Sequence, residues 1–390
     1  MKKILFIIPS LSTGGTNSVL DSFYPLLKDK YDISVFAISH QPRNHNYTFD
    51  KRLLTQDIIL SILYSKYNDQ KGIFKLISFP LKILQILLRY IKIDLTILRS
   101  NYLIKKIDNI YDTVIAFQEG YATKFASMFK CSHKIAWIHC NYNNYLSKEI
   151  SEENIYKKFK KIICVSQYTA NIFSNRYPNL KNRTIYIYNI INKKRIYELA
   201  EQPIEDKRYI KNNMILLSVG RFSAVKRFKS IPAIASELKK RGINFKWYIL
   251  GPITDTKENT IFLKNVKKFD IEDYVIWLGG KSNPYPYFKV ADLYVCLSES
   301  EACPMVFKEA KLFGIPIVTT DFPSSYEFIH EGEGYITSFD KLSEAITTMI
   351  YKIEAGFKLK SYYDDSEDVL SKVYSVLDDD VHMSSININR

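Results

Sequence analysis

Three short runs in this 390-residue sequence combine residue types suited to holding an anion or a polyol. The first is Pro9-Ser10-Leu11-Ser12-Thr13-Gly14-Gly15-Thr16. Adjacent glycines let a backbone turn with positive φ and approach a ligand closely, and the free amides of a helix that starts there attract negative charge. The run lacks the glycine spacing of a dinucleotide fingerprint and the Gly-Lys-Ser/Thr of a Walker loop. The second run is Gly220-Arg221-Phe222-Ser223-Ala224-Val225-Lys226-Arg227. Here Arg221 offers a planar fork and Lys226 a mobile point charge, a pair able to wrap a diphosphate. The third extends from Ser298 to Ala310, and its Pro304 suits the first position of a helix over 304–313. The amides of Met305 and Val306 then become phosphate donors. Glu301 in the preceding loop and Glu309 inside the helix can face one cleft, where carboxylates accept hydrogen bonds from vicinal sugar hydroxyls. Each run also has a plainer reading: a strand-to-helix turn, a solvated basic loop, two unrelated glutamates.

The elements that position these runs follow from periodicity. Apolar runs of strand length lie at 3–8, 32–38, 113–117, 134–138, 161–165 and 183–188, and again at 214–219, 245–250, 274–278, 292–297 and 315–319. Helical patterns fall between most of them, among them 17–28, 121–130, 166–176, 228–241, 257–268, 304–313 and 340–354. Near-continuous Ile/Val/Phe strands alternating with helices predict an α/β chain with parallel sheets covered on both faces. The length suits two doubly wound domains. The expected division is 1–195, 196–355, and a terminal helix and tail over 356–390.

Composition narrows the setting. A hydrophobic fraction of 46% with 25% charged residues excludes whole-chain disorder. The net charge of +14 is not spread evenly. Residues 1–190 hold 27 basic and 13 acidic side chains, whereas 191–390 hold 28 of each. The first half is therefore expected to meet something anionic: nucleic acid, phospholipid headgroups or a phosphorylated substrate. Cys131, Cys140, Cys164, Cys296 and Cys303 form no CxxC pair and read as reduced thiols of a cytoplasmic protein. The opening MKKILFIIPS reads as a buried strand rather than a leader, and no run is apolar enough to span a bilayer. Residues 58–107 are helical in pattern, with Pro80 expected to break or kink them. Lys75, Lys82 and Arg89 recur every seven residues there. That is the pattern of a helix lying on an anionic membrane, or of a helical pair packed on the domain with its lysines in water. No Asp-x-Asp lies at a strand end, and Asp378-Asp379-Asp380 reads as a solvated acidic tail.

The order of motifs SVGRFSAVKRF, WYILG and VIWLGGKSNPYPYFKVADLYVCLSESEACPMVFKEAKLFGIPIVTTD resembles the retaining nucleotide-sugar glycosyltransferases of family four. The resemblance covers 214–337 most fully. WIHCNYNNY and KKIICVSQYTANIF extend it into the first half, and SEDVLSKVYSVL (366–377) is similar to that family's last helix. It implies the GT-B fold: two Rossmann-like domains facing a cleft, with the last helix crossing back to the first. It implies that Arg221 and Lys226 hold the donor diphosphate, Glu309 the ribose, and Glu301 the sugar hydroxyls. Gly15 would admit the diphosphate, His139 would lie near the donor sugar, and Glu119 would contact the acceptor. Two positions depart from the family pattern. Asn17 and Ser18 stand where an acidic and a basic residue are usual, and Ala302 and Cys303 where a glycine and an aromatic are usual.

The resemblance further implies sugar transfer with retention from a nucleoside diphosphate, UDP foremost, with no cofactor and no metal. The acceptor would be a glycan or lipid-linked oligosaccharide of a bacterial surface polysaccharide, met by the basic half at the inner membrane face through Lys75, Lys82 and Arg89. A GT-B sugar-nucleotide epimerase and a non-catalytic nucleic-acid-binding protein are the alternatives. The second of these does not account for the order of donor motifs, and no nucleic-acid partner is expected.

Overall fold

The apolar runs become parallel strands because helices cover both of their faces. The computed structural model describes residues 1–11, 15–39, 47–54, 56–65, 72–146, 150–211, 214–359 and 364–378. The chain forms two compact units, one of Met1–Ile190 with the stretch from Ser366 onward, the other of Ile191–Asp365.

In the first unit β1 (Lys2–Ser10), β2 (Tyr31–Ser39), β3 (Thr113–Ala116), β4 (His133–Ile138), β5 (Lys161–Cys164) and β6 (Thr184–Tyr186) form a parallel sheet ordered β2-β1-β3-β4-β5-β6. Its core contains Leu5, Ile7, Val114, Ala136 and Ile162. The helices are α1 (Gly15–Leu27), α2 (Ile58–Tyr64), α3 (Ile73–Tyr90), α4 (Leu95–Ile107), α5 (Tyr121–Ser127), α6 (Tyr142–Tyr145), α7 (Glu153–Tyr156) and α8 (Gln167–Arg176). Asp57 caps α2 by accepting the Leu60 amide at 2.7 Å. It also takes both arms of Arg99 from α4, at 3.1 and 2.5 Å. The helical reading of 58–107 thus resolves into three helices. Pro80 neither ends nor divides α3, which continues through it; the proline lies on an exposed part of the helix, where a missing amide bond is tolerated.

The second unit repeats the plan with β7 (Ile215–Val219), β8 (Lys246–Leu250), β9 (Val275–Gly279), β10 (Leu293–Cys296), β11 (Ile317–Thr320) and β12 (Gly334–Thr337), ordered β12-β11-β10-β7-β8-β9. Around it lie α9 (Lys193–Ala200), α10 (Ile231–Lys240), α11 (Thr256–Lys268), α12 (Tyr285–Val290), α13 (Met305–Leu312), α14 (Ser325–Phe328) and α15 (Leu342–Glu354). Leu216, Trp247, Ile249, Val295 and Val318 are buried in its core.

The last helix, α16 (Ser366–Asp378), belongs to the first unit. Val369, Val373, Val376 and Leu377 form its buried stripe. Tyr374 donates to the Leu26 carbonyl at 3.0 Å. Asp378 receives Lys30 at 2.6 Å and the Tyr31 hydroxyl at 2.7 Å. Asp378 is therefore a docking residue, not part of a solvated tail; Asp379 and Asp380 lie outside the described residues.

Candidate functional site

In a doubly wound sheet, ligands bind beyond the carboxyl ends of the strands where the winding reverses. In the second unit that point lies between the neighbours β7 and β10. The Gly220–Arg227 loop follows β7, and the loop leading to α13 follows β10. They are joined at the main chain, where the Glu299 amide donates to the Val225 carbonyl at 2.8 Å.

Arg221 is held in place by its neighbours. The Gly220 amide donates to Leu250 at 2.9 Å and the Phe222 amide to Pro252 at 3.0 Å. Gly251 allows this approach: at φ +150°, a Cβ there would lie 1.7 Å from the Gly220 carbonyl oxygen. The Arg221 side chain itself is exposed.

Lys226 forms an ion pair with Glu301. Burial works against its ammonium, but the facing carboxylate outweighs that and holds its pKa above the ordinary value. Glu301 also accepts the Ser298 hydroxyl at 2.6 Å, and its carbonyl accepts the Ser324 hydroxyl at 2.6 Å. Pro304 is the N-cap of α13 rather than its first helical residue. Its ψ of 97° is extended, and it supplies no side-chain acceptor to the helix start. Met305 and Val306 therefore open α13.

Glu309, one turn further on, has its pKa pushed up to about 7 by burial, opposed by the Tyr285 hydroxyl at 3.3 Å. Both Glu301 and Glu309 act electrostatically on the buried phenol of Tyr294. The structure thus gathers Arg221, Lys226, Glu301, Pro304, Met305, Val306 and Glu309 around one switch point, with Cys303 half-buried among them. Tyr285, Ser298, Ser324 and Gly251 support them. Ser298 stood within one of the three runs first read as functional; Gly251 and Tyr285 lay in the motifs of the resemblance without a role of their own, and Ser324 lay outside both.

In the first unit the winding reverses between β1 and β3. Gly15 begins α1 directly after β1, helical rather than at positive φ, and a Cβ added there would meet nothing within 4 Å. Ser12, Thr13 and Gly14 lie outside the described residues. Asn17 turns back and donates to the Ser10 carbonyl at 2.9 Å, closing the loop.

Glu119, after β3, turns its carboxylate inward to accept the His139 amide at 2.9 Å. Burial raises its pKa, and the His139 amide and the Cys140 thiol act against the rise. The His139 ring lies 4.8 Å from Phe117 and 6.2 Å from Trp137. Its Nε2 is buried with no partner among the described residues, and burial pushes its pKa down to about 3. It is accordingly a neutral imidazole at physiological pH. It can exchange hydrogen bonds but carries no charge. Among the described residues no group of three or more His, Cys, Asp or Glu side chains converges to hold a metal ion.

Residues 201–362 match the family described as glycosyl transferases group 1. An uncharacterized glycosyltransferase of Methanocaldococcus jannaschii is 25% identical over 258 residues, which is 64% of this chain and 60% of the relative. The amylovoran biosynthesis glycosyltransferase AmsD of Erwinia amylovora is 22% identical over 93% of both chains. Among solved structures, Anabaena HepE in complex with UDP and glucose superposes with a TM-score of 0.71 at 15% identity, over 97% of this chain and 100% of that one. Residues 201–362 are thus similar to a group 1 glycosyl transferase domain, in a chain with the GT-B fold.

Proposed function

We propose that the chain is a retaining glycosyltransferase that moves a sugar from UDP to a glycan or lipid-linked oligosaccharide during bacterial surface polysaccharide synthesis. The observation that carries this reading is the convergence at the β7/β10 switch point of an exposed Arg221, the Lys226–Glu301 pair and the half-buried Glu309. These groups match the parts of a nucleotide sugar one by one. Arg221, Lys226 and the amides of Met305 and Val306 meet the diphosphate; Glu309 accepts the ribose hydroxyls and Glu301 the sugar hydroxyls. HepE, which binds UDP and glucose, supports UDP as the nucleotide, and AmsD supports the polysaccharide setting.

In the proposed reaction the bond from the anomeric carbon to the phosphate oxygen breaks, and its electron pair stays on that oxygen. The acceptor hydroxyl attacks from the same face and its proton passes to the departing phosphate. Preorganised cations and amides that meet this developing charge are the largest expected catalytic contribution. His139 takes part as an uncharged hydrogen-bonding group for sugar hydroxyls, and Gly15 leaves room for phosphate.

A panel of nucleotide sugars, read by thermal shift and by release of free nucleotide, tests the reading. UDP-sugars should raise the melting temperature and yield UDP with retained anomeric configuration. Arg221→Ala should lower turnover by roughly a hundredfold or more while leaving the melting temperature of the free protein unchanged. Wild-type turnover in that variant, or inverted product, would overturn the assignment.

A further inference from the structure

Helix α3 is turned inside out relative to an ordinary surface helix. Its buried positions are polar: Ser78 is 0% exposed and Gln85 4%. Gln85 donates to Thr96 at 2.8 Å and to the Leu63 carbonyl at 3.3 Å, and Lys82 bends inward to the same carbonyl at 2.9 Å. The outward side is apolar instead. Leu76 is 76% exposed and Tyr90 83%, with Phe79, Ile83 and Leu87 exposed between them. At 100° per residue these fall on one side of the helix. From Leu76 to Tyr90 the stripe is roughly 21 Å long. Exposed Ile91, Ile97 and Leu98 continue it onto the start of α4. A contiguous apolar surface of this extent is the mark of a docking face.

Charge identifies the occupant. Residues 73–107 carry Lys75, Lys82, Arg89, Lys92, Arg99, Lys105 and Lys106 against a single acid, Asp94. Lys75 and Arg89 lie beside the apolar stripe, Arg89 exposed but also reaching Asp94 at 3.8 Å, and Lys92 follows at its end. A second copy of this chain would bring the same positive rim against itself. A bilayer with anionic headgroups offers acyl chains to the stripe and phosphates to the rim. Among the described residues no helix is long and apolar enough to cross a membrane, so the helix would lie in the interface plane.

We infer that α3 inserts its Leu76–Tyr90 face into the surface of an anionic membrane, with Lys75, Arg89 and Lys92 as headgroup contacts. Lys82, though it shares their seven-residue spacing, serves instead to fasten the helix to the protein. Lipid binding through this face requires none of the donor chemistry at Arg221 and Lys226.

Co-sedimentation with phosphatidylglycerol–phosphatidylethanolamine vesicles, compared with phosphatidylcholine vesicles, tests the inference. Wild-type protein should prefer the anionic vesicles and lose that preference in high salt. Leu76→Ser with Leu87→Ser should lower partitioning on the order of tenfold or more. Lys75→Ser with Arg89→Ser and Lys92→Ser should do so on anionic vesicles alone. Because these side chains are exposed, each variant should melt as wild type does and still respond to UDP. Tyr90→Trp should show a blue-shifted emission on anionic vesicles. Absent wild-type binding, equal binding by both multiple variants, or a lipid-free dimer that the leucine substitutions dissolve would each overturn the inference.

Discussion

Glu309 combines a raised pKa with a proposed role as hydroxyl acceptor, and the two make opposite demands. Burial pushes the carboxyl up to about 7. A buried acid with a raised pKa takes up a proton on folding. Its ionisation therefore works against the free protein as pH rises from the ordinary carboxylate range through about 7. Ligand hydroxyls would favour the charged form, so nucleotide binding should release a proton near neutrality. We expect UDP affinity to fall as pH drops below about 7, and Glu309→Gln to flatten that dependence while raising the melting temperature of the free protein at pH above 7. Calorimetry in buffers of different ionisation enthalpy checks the proton. Glu301 and Glu309 were singled out in the sequence by the strand-to-helix context of their run and by the order of motifs around it, not by their spacing. Tyr285, which touches Glu309, lay inside a motif of the resemblance but had no role attached to it, because only the packing of α12 against the same edge brings it near.

At the level of elements, the strands were legible because burial on both faces demands continuous apolar runs. β12 was not among the runs read: it is four residues long, opens with glycine and is only half-buried. The three-helix excursion was legible as helical but not in its polarity. Apolar periodicity says which residues share a side of α3, not which side meets the protein, and here hydrogen bonds from Gln85 and Lys82 decide it. Asp57 holds the base of this excursion. Burial raises its pKa, but Arg99 and the Leu60 amide outweigh that and leave it below the ordinary value. Its contribution is present at neutral pH and is lost as pH falls through the depressed pKa. Asp57→Ala removes both a helix cap and a two-armed pair. It should cost about 1–3 kcal/mol in urea unfolding at pH 7 and less at pH 3.

For the whole molecule, the uneven charge read from composition now has a place. The basic half contains the apolar excursion, and the neutral half contains the groups proposed to hold a nucleotide sugar, with Arg221 and Lys226 as their local cations. Composition alone showed that asymmetry but not its geometry. Ending the chain after Asp365 would remove the stripe of Val369, Val373, Val376 and Leu377 and the Lys30–Asp378 pair. We expect such a protein to expose Tyr31 to limited proteolysis and to lose thermal stability in the first unit, while a UDP-induced shift in the second unit persists.

That last helix also sets the order of events during synthesis. Residues 191–365 emerge from the ribosome whole and can close their sheet at once. The first unit emerges earlier yet must wait, with the groove for α16 uncovered, until Ser366–Asp378 have been made. The unit begun first is therefore completed after the second, and a nonsense codon just before Ser366 would damage the beginning of the protein.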